Sequence, residues 1–126
     1  MVKSKSVAWL IFALAASGAH AMWVTVTHSE AATVYVDSSS IHKIGTHKRV
    51  WVVYDLSGPD KEGQQSVKSY IEYDCGESKY KTLVTTSHPD KMGNGPVIKS
   101  LPVPGDWKPV SQDAMSRQLY AFACAW

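Results

Sequence analysis

The sequence is poor in cysteine, in long apolar runs and in net charge, and each shortage excludes a class of function. Cys75 and Cys124 are its only cysteines. They lack the Cys-x-x-Cys spacing of a redox pair or a zinc site, which argues for a structural bond. The longest apolar run is Val7–Ala16, ten residues and too short to span a bilayer. Beyond residue 21 the chain carries eleven basic and eleven acidic residues. A neutral domain offers no global electrostatic case for nucleic acid or an anionic membrane. Catalytic signatures are missing too. The sequence has no Gly-x-Ser-x-Gly elbow. Gly93-Asn94-Gly95 has neither the lysine nor the following helix of a phosphate loop.

The amino-terminal residues set the compartment. Lys3 and Lys5 precede the apolar stretch, and Ala19-His20-Ala21 places small residues where a signal peptidase reads. Cleavage is expected after Ala21, making residues 1–21 an export signal and residues 22–126 one domain. No cysteine lies near Ala21, so no lipid anchor is expected, and no later segment qualifies as a membrane span. Localisation is therefore periplasmic, secreted or at the cell surface. In an oxidising compartment two cysteines pair, and closing the loop from Cys75 to Cys124 contributes about 4 kcal/mol in the chain-entropy picture.

The centre of the chain is Ser66–Cys75. Val67, Ile71, Tyr73 and Cys75 alternate with Lys68, Tyr70, Glu72 and Asp74. This period of two gives a strand with one face in the core and one in water. Five further strands are expected at Trp23–Thr27, Thr33–Asp37, Lys48–Leu56, Lys79–Ser87 and Val97–Leu101. Val50–Tyr54 is apolar on both faces, as in a central strand. Asp37-Ser38-Ser39-Ser40-Ile41 is a hydroxyl-rich strand exit suited to local backbone bonds. Gly45, Gly76-Glu77 and Gly93-Asn94-Gly95 mark turns, and Pro102 and Pro104 place the sixth strand at an edge. Ser111 reads as a helix N-cap with Asp113 in the first turn. Met115, Leu119, Phe122 and Trp126 then form a helical stripe, from which Cys124 departs. Either the helix frays near Phe122 or the disulfide sits at the margin of its packed face.

Four blocks in this order, Val34–Ile41, Arg49–Leu56, Ser66–Cys75 and the last helix reaching Cys124, together with the Gly93–Pro96 loop, resemble the bacterial surface-adhesin protein E family. The resemblance covers the chain from about Met22 onward. It implies an α+β fold, a single six-stranded antiparallel sheet with a C-terminal helix packed on one face, and a capacity to form a homodimer. It also implies a non-catalytic adhesin that binds host matrix and serum proteins such as vitronectin and laminin through the region around Ser66–Thr82. That region is mixed in charge here, with Lys68, Lys79 and Lys81 beside Glu72, Asp74 and Glu77.

The candidate ligand-binding residues are accordingly Lys68, Tyr70, Lys79 and Lys81, on the polar sheet face, and the alternative is a periplasmic envelope protein pairing through a sheet edge. Simpler readings attach to the rest. His28, His42 and His47 are too dispersed for a zinc site, so no metal or cofactor is expected. Lys43, Lys48 and Arg49 read as a solvated turn. Glu72 and Asp74 stand about 7 Å apart on one strand face, the spacing of a catalytic carboxylate pair but equally of a solvated salt-bridged row. Trp51 and Trp126 lie on apolar rows and read as core, whereas Trp107, in Pro-Gly-Asp-Trp-Lys-Pro, reads either as an exposed tryptophan or as a loop anchor packed on the sheet.

Overall fold

The computed structural model describes residues 20–101 and 105–126. The export signal expected over residues 1–21 falls almost wholly outside the described residues, as do Pro102 and Pro104. Among the described residues the chain forms eight strands and one α-helix: β1 (Trp23–His28), β2 (Ala32–Asp37), β3 (His42–Ile44), β4 (His47–Leu56), β5 (Ser66–Asp74), β6 (Lys79–His88), β7 (Lys99–Leu101), β8 (Lys108–Pro109) and α1 (Ala114–Cys124). All pairings are antiparallel, and the main sheet runs β1-β2-β4-β5-β6-β7. These six are the strands expected from alternation. The two short additions lie off that path, β3 as a hairpin arm on β4 and β8 on the end of β6.

β4 and β5 carry the longest registers and lie at the centre of the sheet. Val50 and Val52 of β4 are fully buried on the helix side, opposite Ile71 and Ser69 of β5. Val34 and Val36 of β2 extend the same row. The helix lays Leu119 and Ala123 onto these valines, and Met115 and Phe122 flank the contact. Burial of such branched side chains stabilises by about 1.5–3 kcal/mol each. At Ala123, which is completely buried, the small side chain brings the helix backbone close to the sheet.

Local chemistry sets the element ends. The side chain of Asp37 accepts from the Ser39 N–H at 3.0 Å and caps a short 3₁₀ turn over Ser38–Ser40, as the serine run predicts. The helix cap lies two residues beyond the expected position. Asp113, not Ser111, is the N-cap, accepting from the Ser116 N–H at 2.8 Å. Its hydrogen bonds with Ser111 and Ser116 hold the carboxyl at about 2, well below the usual range. The β5–β6 return also differs in detail. Asp74 accepts from the N–H groups of Gly76 and Glu77, and the left-handed residue is Ser78 at φ 54° rather than Gly76.

Cys75 and Cys124 are joined, with Cα atoms 5.8 Å apart. The helix does not fray before the bond, because Cys124 is its last residue. The disulfide lies at the margin of the packed face, where the Tyr120 hydroxyl also donates to the Cys75 carbonyl at 2.8 Å. Trp126, one residue beyond the C-cap, is 61 % exposed and outside the core. Its place on the stripe had no consequence because the helix stops at Cys124.

Candidate functional site

Residues of β4, β5 and β6 that point away from the helix build one continuous polar face. Strand alternation and the antiparallel register set Trp51 opposite Tyr70, Arg49 opposite Glu72 and His47 opposite Asp74. On the other flank of β5, Lys81 stands opposite Glu72 and Lys79 opposite Asp74. All four candidate residues, Lys68, Tyr70, Lys79 and Lys81, therefore share this face. A bulge in β6 is needed to read it correctly. Tyr70 pairs with Val84 and Ile71 with Thr82, which leaves Leu83 as the extra residue. Val84 and Thr86 consequently face the polar side, away from Tyr80 and Thr82, whereas unbroken alternation groups all four together.

Aromatic rings support the lysines. Trp51 stacks on Tyr70 with centroids 4.7 Å apart, and the Lys68 ammonium lies 4.9 Å from the Trp51 ring centre. Trp51 is thus half-buried on the polar face, not in the core as its apolar row implied. At the far end of the face, Trp107 meets the edge of His47 at 5.0 Å, and Lys81 lies over its ring at 4.7 Å. Trp107 is 37 % exposed. It is held there from both sides: Gly105 donates to the Thr82 carbonyl at 2.9 Å, and Val110 donates to the Ser78 carbonyl at 2.9 Å. Cation–π contacts of this kind orient a lysine without neutralising it.

The carboxylates are engaged differently from the solvated row expected. Glu72 is buried, 5 % exposed. It accepts from Arg49 Nε at 2.8 Å and is bound to His47 Nδ1 at 2.7 Å, while His47 Nε2 lies 3.3 Å from Asp74. Burial opposes ionisation of Glu72, yet hydrogen bonds and charge from Arg49 and His47 outweigh it and hold the carboxyl below its usual range. Among the described residues the partners of Glu72 come from β4, and Lys68, Lys79 and Lys81 have no ion pair. The acids are satisfied inside the sheet while the lysines remain available at its surface.

A glycine-bearing loop closes the other end of the face. The Ser66 hydroxyl donates to the Asp90 carbonyl at 2.6 Å and accepts from the Gly93 N–H at 2.8 Å. Gly93 has φ +71°, and a Cβ there would stand 3.2 Å from Lys68 Cδ and 3.6 Å from Val53. The loop covers Val53 and abuts the stem of Lys68, so glycine is required for both conformation and approach. Of the dispersed histidines, His47 belongs to the Glu72–Asp74 cluster and His42 lies on β3. Among the described residues no group of three or more His, Cys, Asp or Glu has a metal-holding arrangement.

The family model described as surface-adhesin protein E matches residues 23–125. The chain belongs to the surface-adhesin protein E family. No curated protein sequence matches it. Among solved structures, crystal form II of Haemophilus influenzae protein E is 16 % identical, covering 85 % of this chain and 97 % of that one at a TM-score of 0.61. The selenomethionine form of the same protein is 17 % identical, covering 86 % and 90 % at a TM-score of 0.64. At these identities the likeness is one of fold.

The surface-adhesin protein E fold thus brings Lys68, Tyr70, Lys79 and Lys81 to one face, and it adds residues that sequence reasoning set aside. Trp51, Arg49 and His47 are brought beside them by β4 pairing, and Trp107 by the β7–β8 connection. Arg49 read as part of a solvated turn because its partner, Glu72, is 23 residues away. The available signal was strand register. Aligning Trp51 with Tyr70 also pairs Arg49 with Glu72 and His47 with Asp74.

Proposed function

We propose that this protein is an exported, non-catalytic binding module that recognises a protein partner through the polar sheet face, in keeping with its family. Host extracellular-matrix or serum proteins are the partner class this reading selects. The observation that carries it is the combination, on one face, of two tryptophans and three lysines that have no ion pair among the described residues. Exposed aromatic groups supply contact area at low entropic cost, and desolvated cations on them supply orientation and specificity. Glu72 is held by Arg49 and His47 and so is committed to the platform.

The direct test is binding of the purified mature domain to immobilised vitronectin and laminin. Saturable binding that falls when Lys79 and Lys81 are both changed to Glu supports the reading; absence of binding, or a reversal variant that binds as well as wild type, overturns it. A second reading rests on the other end of the sheet. β7 forms an edge, and Ile98 and Leu101 beside it are 42 % and 54 % exposed. An open apolar edge suits pairing with a second copy or with an envelope protein. Protease shaving of intact cells separates the two. Loss of the protein places it at the surface, whereas protection until the outer membrane is opened places it in the periplasm and favours the edge-pairing role.

A further inference from the structure

The helix side of the sheet carries a hydroxyl-lined trough that the binding face does not use. Helix α1 packs mainly on β1, β4 and β5 and covers the β6–β7 flank less. Two hollows of about 180 Å³ each lie along it. The first, under the start of the helix, is lined by Tyr54, Tyr73, Tyr80, Thr82 and Ser116 among others. The second, toward the β7 edge, is lined by Thr85, Ser87 and Gln64 with Val67 and Leu101. Ser69 of the first and Thr85 of the second are joined hydroxyl to hydroxyl across the strands at 3.0 Å. Each hollow is comparable to an engineered cavity of about 150 Å³ that holds one six-membered ring.

Polar groups in this trough lack partners. The Ser87 hydroxyl is buried, its residue 4 % exposed, and has no hydrogen bond. A buried hydroxyl without a partner is costly and infrequent in folded proteins, so one facing a hollow marks a ligand or water position. Tyr73 is buried and Tyr54 half-buried, both line the first hollow, and among the described residues neither phenol makes a hydrogen bond. Burial pushes the Tyr54 phenol up to about 12, so it remains a donor at neutral pH.

The lining also selects the ligand's charge. Asp113 lies near Tyr54, and no arginine or lysine lines the first hollow, which disfavours an anion. Asp113 is already engaged by the Ser116 N–H at 2.8 Å and hydroxyl at 2.9 Å, so it offers little to a cation. Lys99 in the second hollow faces Glu62 at 3.8 Å. A purely apolar guest leaves the hydroxyls unsatisfied. From this we infer that the trough between α1 and the β5–β6 flank binds a neutral polyhydroxylated small molecule, a monosaccharide or cyclic polyol, through Tyr54, Ser69, Thr85 and Ser87.

Titration of the isotopically labelled full chain with xylose, glucose and inositol, followed by amide shifts, tests this. Choline and glucuronate serve as charged probes. The expected result is saturable shifts at Thr82, Thr85 and Ser87 with a neutral probe and none with the charged ones. Tyr54→Phe and Ser87→Ala each remove one hydrogen bond and should weaken binding about two- to tenfold. Ser87→Ala should leave the thermal midpoint unchanged or raised, since it removes an unpaired group. No saturable shift with any neutral probe overturns the inference, as do equal binding of glucuronate or choline and wild-type affinity in both variants. Because the trough and the lysine–tryptophan face lie on opposite sides of the sheet, failure here leaves the proposed function intact.

Discussion

Removing the Cys75–Cys124 bond, by changing both residues to Ser, should destabilise the domain strongly while leaving its native structure in place. The bond closes a loop across a sequence separation of 49. In the chain-entropy picture a loop of that size costs the unfolded chain about 14 cal/mol/K, or about 4 kcal/mol at 25 °C. For a domain of roughly 100 residues the unfolding entropy is about 0.2 kcal/mol/K near the midpoint, so Tm should fall by about 15–20 °C. The helix should nevertheless stay docked at room temperature. Leu119 and Ala123 remain buried on the sheet, and the Tyr120 hydroxyl still reaches the Cys75 carbonyl. Urea denaturation and thermal scans of the wild type, the reduced wild type and the double variant measure this directly. Reduced wild type and double variant should lose the same stability, and both should show a larger urea slope because the freed unfolded chain exposes more surface. A loss below about 1 kcal/mol would refute the entropic reasoning. So would loss of helical signal under native conditions, since it would show that the bond holds the helix rather than the packing.

Other perturbations probe the core, the loop and the acid network. Leu119→Ala leaves a cavity between helix and sheet and should cost about 2–5 kcal/mol in urea denaturation. Gly93→Ala forces a left-handed backbone on a side chain that presses Lys68, and should cost about 1–2 kcal/mol while weakening any partner that contacts Lys68. Glu72 has a lowered pKa in the fold, so its contribution is complete above the unfolded carboxyl value, near pH 4.5, and is lost as pH falls through the folded value. Midpoints measured against pH should show that acid limb, and Glu72→Gln should flatten it.

Much of the fold is legible in the sequence because period-two alternation needs only local residues. The six main strands are of this kind, the serine turn and the helical stripe are equally local, and the disulfide follows from there being only two cysteines to pair. β3 and β8 escaped detection because three and two residues are too few to show a period. The bulge at Leu83 was hidden for another reason: Tyr80, Thr82, Val84 and Thr86 alternate without interruption, and only pairing with Tyr70 and Ile71 reveals the extra residue. The helix cap moved from Ser111 to Asp113 because both side chains can accept, and tertiary packing of Met115 and Leu119 sets the first turn. The candidate site was half visible. Lys68, Tyr70, Lys79 and Lys81 follow from β5 and β6 alone, whereas burial of Glu72 and exposure of the Trp51 ring depend on β4.

The central claim is that a protein partner is recognised on the lysine–tryptophan face and not on the helix side. Dissociation constants for one purified matrix protein, measured on wild type, on the Lys79→Glu/Lys81→Glu variant and on a helix-side Gln118→Glu control, test it most directly. The account predicts at least about a tenfold weakening in the double reversal and none in the control. Equal affinity for all three proteins, or a loss confined to the control, would contradict it.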